Sequence, residues 1–391
     1  MDGWPGRTVH KHQPGSPVNF ETLPGVTRVE RPIHISLVLP VVSRFIARVR
    51  PARILLCLAL VSAARLAADE TAAFLPAIKI RHSTFTISSE NDKYFAGTDR
   101  HYTNGFKLTW LGETDLNQSR QFVQLAARII PWMDPEHVDW HYKVGSALGH
   151  NTYTPVDTDT TTLLPNDRPY AGWLYGSILL HAQLDNQLRL VELSFGVIGP
   201  SALGEQIQNT WHDVINVPHA EGWANQLHDE PGLQLSWERR YRTWQWAEPA
   251  GSQLGVDLVL RHRVTVGNVA THLAGGAVVR VGWRMPADFG ADLIRPGGGN
   301  TANEGNPDRF SVYAYASGEL RAVARDIFLD GNTWRSSPSV DKRPLVADLS
   351  LGFVLHWPSF QFAYTQNYRT KDFYGQVRRD VFGSVGFSFS R

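Results

Sequence analysis

The chain has 391 residues, 42% of them hydrophobic, and 38 Lys+Arg stand against 37 Asp+Glu. That length can bury one large core or two. The balanced charge excludes the basic footprint of a nucleic-acid binder.

Residues 1–50 are rich in Pro, Gly and His and show no sustained period. His10-Lys11-His12 reads as part of a basic, unstructured segment rather than as a metal site. Arg44, Arg48, Arg50 and Arg53 then precede the apolar run Ile54 to Val61, which is followed by the small residues Ser62-Ala63-Ala64. A basic start, an apolar stretch too short to cross a bilayer and small residues make a secretory signal, cleaved after Ala64 or near Ala68. Residues 1–68 are therefore expected to be extension and signal, and 69–391 the mature domain. The single cysteine, Cys57, falls inside the signal. A mature chain would have neither disulfides nor thiolate zinc sites.

After the signal, no window holds the roughly 20 apolar residues of a spanning helix. Alternating segments recur instead, near 81–90, 101–111, 139–151, 170–182, 187–199, 232–246, 253–265, 270–284, 309–323, 343–356, 360–369 and 380–390. Side chains on a strand alternate faces, so each reads as a strand with two different surroundings. Asp185-Asn186 makes a good hairpin turn. With 13 Trp, 12 Tyr, 18 Phe and 33 Gly, the composition fits a membrane barrel, although a large soluble β protein could share it. In lipid, a closed barrel is the sheet that leaves no unpaired edge.

The first two strands flank a polar loop, Glu90-Asn91-Asp92-Lys93-Tyr94-Phe95 followed by Asp99-Arg100-His101-Tyr102-Thr103-Asn104-Gly105. Alternation predicts that Glu90, Asp92, His101 and Thr103 share the inner face. Carboxylate, amide and hydroxyl oxygens suit a hard cation such as calcium, and a capped, solvated hairpin is the other reading. Asp157-Thr158-Asp159 begins like a calcium loop but lacks its Gly and final Glu, which rejects an EF-hand. Gly297-Gly298-Gly299 is a flexible loop without a following helix, and neither Gly-x-Ser-x-Gly nor His-Glu-x-x-His occurs.

One helix is predicted, at about 201–216, where Leu203, Ile207, Trp211 and Ile215 form an i, i+4 stripe. Its stripe is expected to lean on the barrel wall and hold His212, on a neighbouring face with Glu205 and Gln208, over the mouth. Pro218 ends it.

The motifs Glu90-Asn91-Asp92-x-x-Phe95, Thr98-Asp99-Arg100-His101-Tyr102-Thr103-Asn104-Gly105, His150-Asn151-Thr152-Tyr153-Thr154-Pro155, Asp167-Arg168-Pro169-Tyr170-Ala171-Gly172-Trp173, Gly196-Val197-Ile198-Gly199-Pro200 and Gln208-Asn209-Thr210-Trp211-His212 recur in order. Together they resemble the lipid A 3′-O-deacylase family (LpxR-like outer-membrane proteins), from about residue 80 to the end. The resemblance implies an all-β, antiparallel transmembrane barrel of about 12 strands in the bacterial outer membrane, acting as a monomer on lipopolysaccharide. It implies hydrolysis of the 3′-linked acyl ester of lipid A with a calcium ion, Ca2+. Asn91 and Asp92 then hold the metal, while His212, Thr103 and Asp92 carry the catalysis, with His212 as general base. Two departures stand out. The family's glutamate six residues after the histidine is Pro218 here, with Glu221 out of register. The family's Lys-Arg pair after Tyr-x-Pro is replaced by Asp157 to Thr162. The alternatives are an outer-membrane phospholipase-like esterase and a non-catalytic barrel, either a pore or a structural protein.

Overall fold

In the computed structural model, the described residues are 80–92, 94, 101–114, 140–215, 217–247, 253–290, 294 and 309–391. The signal-like segment with Cys57, the His10–His12 run and Gly297–Gly299 lie outside them. The described residues form twelve strands: β1 (Ile80–Asn91), β2 (His101–Thr114), β3 (His141–Thr154), β4 (Ala171–Leu184), β5 (Gln187–Ile198), β6 (Glu230–Ala247), β7 (Leu254–Gly267), β8 (Ala270–Trp283), β9 (Ser311–Asp326), β10 (Leu345–Trp357), β11 (Phe360–Arg369) and β12 (Asp380–Ser390). Each falls within a few residues of a predicted segment. Every strand pairs antiparallel with its sequence neighbours, and β1 pairs with β12 from Thr84↔Ser390 to Asn91↔Gly383, which closes the barrel. The Asp185-Asn186 turn is present, with Asp185 in the left-handed region at φ 47°. Among the described residues two short α-helices interrupt the strands, α1 (Gly204–Ile215) and α2 (Ile327–Asp330). Among the described residues no helix is long and apolar enough to cross a membrane.

Which face is the inside follows from contacts that only the lumen allows. Lys107 on β2 donates to Glu192 on β5 at 2.8 Å, across two intervening strands. Arg263 on β7 reaches Glu319 on β9 at 2.8 Å and Glu238 on β6 at 3.4 Å. Arg280 grips Asp257 at 2.5 Å and also Asp288, while Asp348 holds Arg369 at 2.8 Å and Arg321 at 3.4 Å. Buried charge is tolerable only when paired in this way. The opposite face of the same strands exposes Phe85, Leu193, Phe195, Leu233, Val266, Leu273, Val279, Leu320, Leu349 and Phe387. Apolar residues outside and ion pairs inside are the inverse of a soluble barrel and suit lipid. Strands of about 14 residues, rising about 3.3 Å each and tilted by about 40°, comfortably cross a hydrocarbon layer of about 25–30 Å.

The connection from β8 to β9 turns inward. Asp288 accepts from Tyr313 at 3.1 Å and bonds Arg280, and Phe289 is buried beneath the Arg242 guanidinium, 5.0 Å from the ring centre. Further along, the backbone N–H of Ile294 donates to Glu90 Oε1 at 2.6 Å. That segment leaves β8 at the end of the barrel holding both β1's start and β12's finish. Glu90 lies at the other end, so Ile294 stands inside the lumen near that end. Interior ion pairs and these inward residues occupy part of the lumen. Purified protein in planar bilayers is therefore expected to leave conductance near baseline, and large stable stepwise openings would contradict an obstructed lumen.

Candidate functional site on the outer wall

Register assigns a face to every residue near the polar loop. Glu90 pairs with Gly105 and lies inside, where its carboxylate takes the Ile294 N–H and meets the Tyr102 hydroxyl. Asn91, one residue on, points outward, opposite Asn104 of β2. The chain then turns back over the outer face. The Tyr94 N–H donates to Asn91 O at 3.3 Å, Tyr94 and Ser89 share a hydroxyl hydrogen bond of 3.0 Å, and the Tyr94 side chain covers Gly383 of β12. Asp92 sits in this turn, 2% exposed.

Strict alternation placed Thr103 inside, and the structure corrects this. The β2–β3 register runs Tyr102↔Tyr153 and then Asn104↔Thr152, leaving Thr103 as an extra residue in a β-bulge. A bulge resets the alternation of its strand. Tyr102 stays inside, packed on Tyr153 and Phe382. Thr103 turns outward, where its hydroxyl lies 2.7 Å from that of Thr154. His101 pairs with Thr154 of β3, and its side chain lies outside the described set. Of the four residues expected to share the inner face, Glu90 is there and Thr103 is not.

On β3 the outer residues are His150, Thr152 and Thr154, because Asn151 and Tyr153 turn in. The loop between β5 and β6 lies over this strip. His150 Nε2 donates to Ala202 O at 2.8 Å, in a 3-10 turn at Pro200–Ala202. That proton position makes Nδ1 the acceptor for the Thr152 hydroxyl at 3.4 Å. α1 starts where two glycines meet: a Cβ on Gly172 of β4 would stand 3.1 Å from Gly204 Cα, and one on Gly204 would stand 2.6 Å from the Trp223 ring. No larger residue lets the helix lie so close to the wall.

The face that α1 turns to the wall is not the apolar stripe. Gly204, Gln208 and His212, spaced i, i+4, i+8, are buried, while Leu203 and Trp211 are 41% and 37% exposed. Gln208 Oε1 accepts from Trp223 Nε1 at 3.0 Å, and Trp223 packs on Tyr170. The expectation that the stripe leans on the wall is therefore reversed, and His212 is held against the outer wall rather than over the mouth.

His212 is 2% exposed and its Nδ1 lies 2.5 Å from the carbonyl of Pro218. A carbonyl can only accept, so Nδ1 carries the proton and Nε2 is the basic nitrogen. Sequence inspection missed this partner because Pro218 offers no side-chain chemistry. It also missed Thr154 and His150, which only a bulge and a wall-hugging turn bring into play.

The description of outer membrane protein LpxR fits residues 54–391 as a family model. The chain belongs to this family. The solved LpxR from Salmonella typhimurium is similar in fold, with 17% identity and a TM-score of 0.64 over 78% of this chain and 99% of that one. The β domain of the Bordetella autotransporter BrkA (9% identity, TM-score 0.37, 79% of this chain and 97% of that one) and the translocator domain of NalP from Neisseria meningitidis (11%, 0.34, 84% and 96%) are far more distant. No curated protein sequence matches the chain. As an LpxR family member with this barrel, the protein resides in the outer membrane.

The residues expected to hold a metal, Asn91 and Asp92, carry an amide oxygen and a carboxylate, and both are buried. Among the described residues no three His, Cys, Asp or Glu side chains cluster as a metal cage. Oxygen donors such as those of Asn91 and Asp92 fit a hard cation such as calcium.

Proposed function

We propose that the protein is an outer-membrane lipid A deacylase that hydrolyses the 3′-linked acyl ester of lipid A, with His212 as general base. One observation carries the reading: a buried histidine on the wall-facing side of a loop helix, on the lipid side of the barrel, with its proton fixed on Nδ1 by Pro218 O. Nε2 accepts a proton from water as the water oxygen attacks the ester carbonyl, and returns it to the departing sugar oxygen. A free fatty acid and a hydroxyl on the sugar result. At the position where the family carries a glutamate, the main-chain carbonyl of Pro218 here orients the ring without adding charge. It therefore holds the tautomer but stabilises the imidazolium less than a glutamate would.

Asn91 and Asp92 would hold a calcium ion, which when bound supplies positive charge to polarise the ester carbonyl. Thr103, paired with Thr154, orients water or substrate. All these groups come from one chain, so a monomer suffices. Residues up to about 68 are removed as the secretory signal.

The loop from Asp157 to Thr162 favours a second reading on substrate. It is exposed and acidic, with Asp157 Oδ1 accepting from Asp159 N–H at 3.1 Å and Thr160 bonded to Thr162 at 2.9 Å. Acidic side chains there repel phosphate, which leaves a less phosphorylated lipid A or another acylated lipid as the favoured substrate. Mass spectrometry of lipid A from cells with and without the protein decides. Loss of one 3′-linked acyl chain is the expected result. Unchanged lipid A together with hydrolysis of phospholipid offered in parallel would move the assignment to a phospholipase.

A further inference from the structure

The exposed stripe of α1 marks a contact that hydrolysis itself does not require. With about 3.6 residues per turn, and with Gly204, Gln208 and His212 facing the wall, Ile207 and Trp211 fall on one flank. Glu205, Asn209 and Asp213 fall on the other. Leu203, just before the helix, adjoins the apolar flank; its backbone is left-handed at φ 60° and its side chain is exposed.

The polar flank faces the extracellular end. Asn209 Oδ1 accepts from Ala220 N–H at 3.0 Å and Asp213 pairs with His219 at 2.8 Å. The same return segment ties upward to the β3–β4 loop through Glu221 N–H to Thr158 O at 2.8 Å. That loop stands at the end of the barrel opposite β1's start and β12's finish, which is the end where outer-membrane barrels carry their longer, external loops. The apolar flank therefore faces down the wall. Below Gly172, outward residues are Leu174 and Ile178 on β4, Leu148 on β3, and Phe195 and Leu193 on β5. Leu174 lies about 7 Å below Gly172 at about 3.3 Å per residue. Apart from His150, which lies level with Leu174 and is covered by the Pro200–Ala202 turn, the stripe thus continues into the apolar outer surface.

We propose that α1 lies along the membrane surface with Ile207, Trp211 and Leu203 set into the acyl boundary of the outer leaflet. Amphipathic interfacial helices take this posture, and Trp is favoured at that depth. The helix then places its His-bearing face and a lipid-immersed flank at right angles. An acyl chain can pass from the leaflet to the wall without leaving apolar surroundings.

The test needs no substrate, so its outcome is independent of the deacylase assignment. Nitroxide labels are attached at Ile207→Cys, Trp211→Cys, Glu205→Cys and Asp213→Cys in a Cys57→Ser background. Phe195→Cys serves as the lipid reference, in phosphatidylcholine–phosphatidylglycerol vesicles. Power saturation compares collisions with oxygen, which concentrates in lipid, against a water-soluble nickel chelate. The oxygen-to-nickel ratio at 207 and 211 should approach that at 195 and exceed that at 205 and 213 several-fold. Equal ratios on the two flanks, or values at 211 as water-like as at 213 while 195 reads as lipid, would overturn the proposal.

Discussion

His212→Gln is expected to leave a folded, membrane-inserted barrel and to lower ester hydrolysis by about two to four orders of magnitude, the usual contribution of a positioned base. The glutamine amide can still donate toward Pro218 O and can fill the buried space between α1 and the wall, so packing is largely kept. What it lacks is a nitrogen able to take a proton from water. His212→Ala should be equally inactive but less stable, since it also leaves the Pro218 carbonyl without its donor in a buried setting. Heat-modifiable migration on gels checks the fold, and release of free fatty acid checks the chemistry. If His212→Gln kept most of its activity, the histidine would be a packing residue, and the water would have to be activated elsewhere.

The barrel was legible in the sequence because its signal is a simple period of two repeated twelve times. Even the two-residue β4–β5 turn could be named in advance from Asp185-Asn186. Three features were not legible, each for a physical reason. Thr103 was assigned inward because alternation is exact only on an unbroken strand, and the bulge after Tyr102 adds one residue. The helix was oriented backwards because an i, i+4 apolar stripe is ordinarily read against water outside and a core inside. Against an outer-membrane wall the surroundings are inverted: the stripe meets lipid, and the small and polar residues Gly204, Gln208 and His212 meet the barrel. The inward residues Asp288, Phe289 and Ile294 have no period to betray them; Asp288 is held by an ion pair to Arg280, eight residues back, and Ile294 by a backbone hydrogen bond to Glu90, far away in sequence. At the site, Asn91, Asp92, Thr103 and His212 came from an ordered set of motifs rather than from spacing, whereas the carbonyl of Pro218 leaves no trace in side-chain identity.

Removal of the metal is expected to have the second large effect. The turn after β1 offers oxygen ligands with one carboxylate, Asp92, and the described residues contain no acidic cluster to tighten the hold. Calcium affinity falls as carboxylates are withdrawn from a site, so a chelator in modest excess should strip the ion and abolish hydrolysis. Added calcium should restore the rate, and magnesium should restore it less, since magnesium demands a stricter octahedron and gives up its water reluctantly. Asp92→Ala removes the charged ligand and should be nearly inactive at any practical calcium concentration. Thr103→Ala takes away only a neutral hydroxyl, whose place water can fill, and should retain more activity. Asp92→Asn separates charge from shape: a metal-holding role predicts partial rescue at high calcium, because the amide oxygen still coordinates. A residue that took protons from water directly would show no such rescue, since an amide is no base at any metal concentration. Full activity of the parent in excess chelator would remove the ion from the mechanism and leave His212 to act on the ester without it.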